Sequence, residues 1–130
     1  KTLMFHGDSF FAMAAGMPKL NGSYVTPEKA AVEMLKKRHL SPAYGENPIV
    51  PERNDFLFIN EVPDIMHFGH VHHNGYANYR GTTVINSGTW QSTTTYQLKQ
   101  GHVPTPCQLP VYHCRTATVQ VLNFAGEQKG

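Results

Sequence analysis

The sequence predicts a mixed α/β domain of the α+β type. Three stretches carry that prediction: short apolar runs that end in His or Gly, a helix signal starting at Thr26-Pro27-Glu28, and a strand-turn-strand pattern between Gly75 and Asn86. At 130 residues the chain has room for one compact domain rather than two. Its 40% hydrophobic and 15% charged residues fit a folded chain and exclude a disordered one. A formal charge of +2 is too small to argue for a nucleic-acid partner by itself.

Taken in order, Thr2-Leu3-Met4-Phe5 reads as a buried strand running into His6-Gly7. A chain that starts directly on a core strand is expected to be a fragment or one half of a split protein, because a lone strand needs neighbours. Ser9 to Ala15 reads as a short helix capped by Asp8 or Ser9 and closed by Gly16. The second helix has a hydroxyl cap, proline at its first position and an acid in its first turn. Ala30, Ala31, Met34 and Leu35 share one face, and Lys36 to His39 suit the negative end of the dipole.

Ser41 to Asp55, with three prolines, reads as an extended loop. Phe56 to Ile59 and Asp64 to Phe68 read as strands. Gly75 to Tyr79 and Thr82 to Asn86, flanking Arg80-Gly81, read as a hairpin. Gln91 to Gln108 reads as loop, and Leu109 to His113 and Thr116 to Phe124 as the last two strands. Residues 125–130 are expected to be a flexible tail.

Histidine is the compositional outlier. Eight are present (His6, His39, His67, His70, His72, His73, His102 and His113), four of them between Met66 and His73. Residues two apart on an extended chain project to the same side, so His70 and His72 can aim at one point while Val71 faces the core. Gly69 would allow the backbone a close approach where a Cβ would crowd the ions. Imidazole suits Zn, Mn, Fe or Ni without choosing among them, and two such histidines can serve two ions ~3.5–4 Å apart. His6 repeats the strand-His-Gly pattern, although a lone strand-end histidine is more often a hydrogen-bonded structural residue.

His67 reads as packed or supporting, His39 as a surface residue compensating a helix dipole, and His73 as facing solvent or substrate. Asn86-Ser87-Gly88-Thr89 is either a plain turn or a loop in which Asn86 or Ser87 orients a ligand histidine. Trp90 and Tyr96 could stack on a nucleobase or simply pack. Cys107 and Cys114, with His102 and His113, allow a zinc set to be written, but without any standard spacing. The two histidines of that set are read as structural. So few cysteines, and no apolar run near the ~20 residues of a membrane helix, give the expectation of a reduced, cytoplasmic location with no membrane partner.

The stretch Val62 to Tyr76 with its Gly-His-Val-His turn, then Tyr79-Arg-Gly and Val84-Ile-Asn-Ser-Gly-Thr-Trp-Gln-Ser92, resembles the small subunit of archaeal family-D DNA polymerases. Leu35 to Gly45, Pro48 to Pro51 and Pro104-Thr-Pro-Cys107 add to the likeness, which runs from about Leu3 to Phe124. Gly-His-x-His alone would indicate only the wider calcineurin-like metallophosphoesterase superfamily. The resemblance implies two packed β-sheets flanked by helices, with residues 1–124 as the C-terminal portion of that domain. It further implies a dinuclear site, Mn²⁺ by preference with Zn²⁺, Fe²⁺ or Ni²⁺ as alternatives, and a proofreading 3′→5′ exonuclease. Its expected partners are the large catalytic subunit and single-stranded or primer-end DNA.

By the family pattern His6 and His70 would share one ion, and His72 would bind the other. Asn86, Ser87 and His73 would support the ligands or meet substrate. The earlier family motifs, Asp-x-His, Gly-Asp and Gly-Asn-His-Asp, cannot be placed here in order. Gly7-Asp8 spells the second of them, but no Gly-Asn-His follows. About half of the ligands and the general acid are therefore expected to lie outside this chain, and no catalytic residue is assigned within it. A non-catalytic scaffold subunit and a generic metallophosphatase are the competing expectations.

Overall fold

The computed structural model describes residues 1–20, 23–43, 45, 48 and 50–126. Four strands form one sheet in the order β1-β2-β4-β3: β1 (Thr2–Met4), β2 (Ile65–Phe68), β3 (Gly75–Tyr79) and β4 (Thr82–Asn86). The pairs β1–β2 and β2–β4 are parallel, and β3 runs antiparallel to β4. The long β1-to-β2 connection carries α1 (Ser9–Gly16) and α2 (Pro27–Lys37), which place helices against the sheet as a parallel crossover requires.

The core lies between α1, α2 and the sheet. Phe10, Met13, Ala30, Met34, Met66 and Val84 are fully buried there, with Phe68 and Val71 nearly so. Phe68 is the hinge of this packing, its ring 6.1 Å from Phe10 and 5.8 Å from Phe5. Strand β4 is buried along its whole length because it is central and covered.

Helix α2 starts at Pro27 and buries Ala30, Ala31 and Met34, as its spacing predicts, with Leu35 half-buried. Neither Thr26 nor Asp8 caps its helix through its side chain. Arg38 ends α2 in the left-handed conformation (φ 52°), and its guanidinium donates to the carbonyls of Ile59 and Asn60. Within α2, the Glu33 carboxylate accepts from Lys19 and Lys36 at 2.7 Å each. These bonds hold its pKa below the ordinary value of 4.5, the Lys19 bond first and the Lys36 bond next. A lowered folded-state pKa contributes stability above the unfolded value and loses it as the pH falls through the folded one. We therefore expect Glu33→Gln to destabilise modestly at neutral pH, and the gap from the parent to close below about pH 4 in urea titrations.

The hairpin forms as read, with Arg80 and Gly81 both at positive φ (50° and 89°), as a two-residue primed turn requires. Three expectations are corrected. Phe56 to Ile59 is not a strand: Leu57 and Ile59 exchange single backbone bonds with Leu40 and Arg38, so only an isolated His39–Phe58 bridge forms. β1 is the exposed edge of the sheet rather than a buried strand, with Met4 68% exposed. The 91–108 segment is not all loop, since α3 (Thr95–Lys99) lies within it.

The second sheet is an antiparallel ribbon of β5 (Gln108–His113) and β6 (Thr118–Asn123). Val119 and Val121 are half-buried between exposed neighbours, matching the alternation in the sequence. Among the described residues its contacts are chiefly internal, with a Thr89–Pro106 bridge tying it to the rest. Of the expected tail, Ala125 and Gly126 have no regular structure and residues 127–130 lie outside the described residues. No helix among the described residues is long and apolar enough to cross a membrane.

Candidate metal centre

The carboxyl ends of the parallel strands β1, β2 and β4 share one edge of the sheet, and His6, His70 and Asn86 stand there. Open α/β sheets place their ligand sites at this edge, because the chain turns away there and leaves a crevice.

His6 and His70 meet. Nε2 of His6 and Nδ1 of His70 are 2.9 Å apart, with the rings edge to face at 4.8 Å. One nitrogen must donate and the other accept, so the contact requires at least one neutral ring. Burial, followed by the neighbouring His6, pushes the His70 pKa below 6.5; Asp8 opposes this and His72 adds to it. A neutral ring is the form that ligates metals. Two imidazole nitrogens on one tetrahedral ion, each about 2.0–2.1 Å from it, would stand about 3.3 Å apart. The observed pair is close to that spacing, so these two residues fit a shared ion.

The approach to this pair differs from the expectation. The turn is not an extended continuation of β2, which ends at Phe68; His70 adopts φ 64° and the chain bends through His73. His72 does not join His6 and His70 in one cluster, and its Nδ1 is hydrogen-bonded to the Gln97 carboxamide. Among the described residues no three His, Cys, Asp or Glu side chains gather closely enough to hold a metal ion.

The glycine that permits the approach is Gly7 rather than Gly69. A Cβ at Gly69 would meet only the His6 carbonyl at 3.9 Å, an ordinary contact. At Gly7, φ is +100° and a Cβ would lie 3.1 Å from the Gly69 carbonyl and 3.5 Å from the His70 Cβ. We expect Gly7→Ala to cost about 1–3 kcal/mol, the usual range for a strained backbone position, and to lower the thermal midpoint while Gly69→Ala leaves it nearly unchanged.

Asn86 supports the turn through its backbone. The fully buried side chain donates from Nδ2 to the carbonyls of Val71 and His73, both at 2.7 Å. Two carbonyl acceptors require the amide nitrogen on that side, which leaves Oδ1 with no partner among the described residues. Ser87 bonds back to the Phe68 carbonyl, by its amide at 3.2 Å and its hydroxyl at 3.5 Å, and closes the end of β2. His73 donates from Nδ1 to the Val103 carbonyl at 2.8 Å.

Beside the turn lies a cleft of about 610 Å³ lined by His70 to His73 and by Phe11, Tyr24, Tyr96, Gln97 and His102. Phe11, Tyr24 and His102 pack together, with Tyr24 5.2 Å from each of the others, and Phe11 touches His70 edge-on. Tyr96 lines the cleft, whereas Trp90 lies instead 6.0 Å from Phe124. Gln97, Phe11, Tyr24 and His102 were missed as site residues. Only Gln97 carried a local signal, the Thr94-x-x-Gln97 capping box.

The remaining histidines are accounted for without a ligand. His39 bonds Asp55 and the Ser41 amide, and His113 lies 3.3 Å from Gln120. His67 is half-buried on β2. Cys107 and Cys114 are free thiols, and neither shares a metal cluster with His102 or His113 among the described residues.

Fold and site together define a class: an α/β domain in which histidines converge at the carboxyl ends of parallel strands, beside an aromatic cleft. No family model matches the sequence. The chain is 44% identical over 128 residues to the DNA polymerase II small subunit of Archaeoglobus fulgidus, which covers 98% of this chain and 26% of that protein. It is 46% identical over 126 residues to that of Methanothermobacter thermautotrophicus, covering 96% and 25% respectively. With that of Pyrococcus furiosus the identity is 41% over 126 residues, covering 95% and 20%. The chain belongs to the archaeal DNA polymerase II small subunits and corresponds to a C-terminal stretch of them. It spans about a quarter of the length of these relatives.

Proposed function

We propose that this chain is the strand-end half of a dinuclear metal centre in a polymerase-associated 3′→5′ exonuclease of the calcineurin-like fold. The small subunit containing it would act with a large catalytic subunit. The observation that carries the reading is the His6–His70 contact at 2.9 Å, made by two histidines 64 positions apart, each just beyond the carboxyl end of one of two adjacent parallel strands. Structural histidines rarely face one another nitrogen to nitrogen, since the contact gives one weak hydrogen bond and disfavours protonation of both rings.

In this proposal His6 and His70 offer lone pairs to one divalent ion and His72 serves a second, Mn²⁺ being the first candidate for both. When bound, such a pair polarises a phosphodiester and activates water for in-line attack. The protein's own part is positional. Gly7 brings the two histidine turns together, and Asn86 fixes the carbonyls on either side of His72. The aromatic cleft shields the site and offers ring faces to unstacked bases. Among the described residues lining it there is no Lys or Arg, so phosphate charge would fall to the metals.

The complete small subunit should shorten single-stranded DNA from its 3′ end with Mn²⁺ and leave phosphomonoesters largely untouched. Hydrolysis of monoesters alone would favour a generic phosphatase. Activity of the polymerase complex unaffected by chelation of divalent ions at the small subunit, with no nuclease activity, would favour a scaffold.

A further inference from the structure

The geometry points to Gln97 as a positioning residue that locks His72: an ion reaches this ring only once the Gln97 carboxamide is displaced or turned over. The inference rests on the metal reading of the site. It follows from counting donors and acceptors. Thr94 and Gln97 form a complete capping box, the Thr94 amide donating to the Gln97 Oε1 at 2.9 Å and the Gln97 amide to the Thr94 hydroxyl at 3.3 Å. With Oε1 so engaged, the Gln97 Nε2 faces His72 and donates to its Nδ1. Gln97 is largely buried, its carboxamide held between Thr94 and His72.

A neutral imidazole has one nitrogen with a free lone pair. In His72 that nitrogen is Nδ1, and Gln97 occupies it; the proton is on Nε2. Ligation through Nδ1 displaces the amide. Ligation through Nε2 moves the proton to Nδ1, which then needs an acceptor, and Oε1 is available only if the amide rotates and abandons the Thr94 N–H. By either route, loading His72 opens the cap of α3.

The rest of the segment is tied to the same turn. The Thr105 amide bonds the His72 carbonyl at 2.8 Å, its hydroxyl accepts from the Asn74 amide at 2.6 Å, and His73 bonds Val103. The 94–105 segment therefore registers whether the second ion is present, and it forms one wall of the cleft.

Gln97→Glu tests this in the complete subunit. A carboxylate accepts from the Thr94 amide and from a His72 Nδ1–H together, keeping the cap while freeing the Nε2 lone pair. The Mn²⁺ site that His72 serves should bind about tenfold more tightly by calorimetry, at the lower end of what such outer partners contribute. In metal-free wild type, ¹⁵N NMR of His72, assigned through His72→Gln, should show the proton on Nε2, and in the Glu variant on Nδ1. A wild-type proton on Nδ1, or a Glu variant with unchanged or weaker Mn²⁺ affinity, would overturn the lock. The wild-type tautomer decides even if the variant does not fold. If no form binds Mn²⁺, the metal reading fails while the tautomer still reports the contact with Gln97.

Discussion

His70→Ala should remove the 3′→5′ exonuclease activity of the complete small subunit and weaken its Mn²⁺ binding at one of two sites. The loss should exceed about a hundredfold, more than removal of an outer partner of a ligand usually costs. His70 is the residue on which the site converges: it meets His6, packs against Phe11 and sits in a left-handed turn. Alanine tolerates that backbone no better than histidine does, so some loss of stability is expected as well. Melting and metal stoichiometry must therefore be read with the activity. His6→Ala should reproduce the metal defect, because both rings would serve one ion. Equal activity in both variants and the parent would remove the basis of the proposal.

Asn86→Ala should destabilise the protein by roughly 2–6 kcal/mol, since one buried and one part-buried carbonyl lose their only described side-chain donor at about 1–3 kcal/mol each. A domain of ordinary stability holds about 5–15 kcal/mol, so this one amide matters to the whole fold. Asn86→Asp, equal in shape, should be at least as damaging, because it turns a carboxylate oxygen toward two carbonyl oxygens. Chemical denaturation measures both, and an unchanged midpoint for either would show that the Val71 and His73 carbonyls find other donors. Residual folded protein should also show weakened Mn²⁺ binding, because the bonds to Val71 and His73 flank His72.

The sequence made much of this legible, and the gaps have physical reasons. The α2 helix and the 75–86 hairpin are local structures, fixed by Pro27, by apolar spacing and by the positive-φ demands of Arg80-Gly81. The convergence of His6 and His70 could be suspected from their matching strand-His surroundings, but it depends on β1 and β2 being parallel neighbours. The same-side argument for His70 and His72 failed because it assumed extended backbone, and a histidine at φ 64° turns the next residues elsewhere. Phe56 to Ile59 has strand composition yet finds no ladder beyond one bridge, an outcome set by tertiary neighbours. Helix α3 was hidden by its five-residue length and polar composition, although its capping box was written in Thr94 and Gln97. Asn86 was read as a possible partner of a ring, whereas its side-chain bonds go to the main chain on either side of His72.

The most direct measurement is a crystal structure of the complete small subunit soaked in Mn²⁺ and recorded near the manganese absorption edge. An anomalous peak is expected between Nε2 of His6 and Nδ1 of His70, with those nitrogens moved slightly apart from 2.9 Å to receive the ion. Manganese bound elsewhere, with the two rings still hydrogen-bonded to each other, would contradict it.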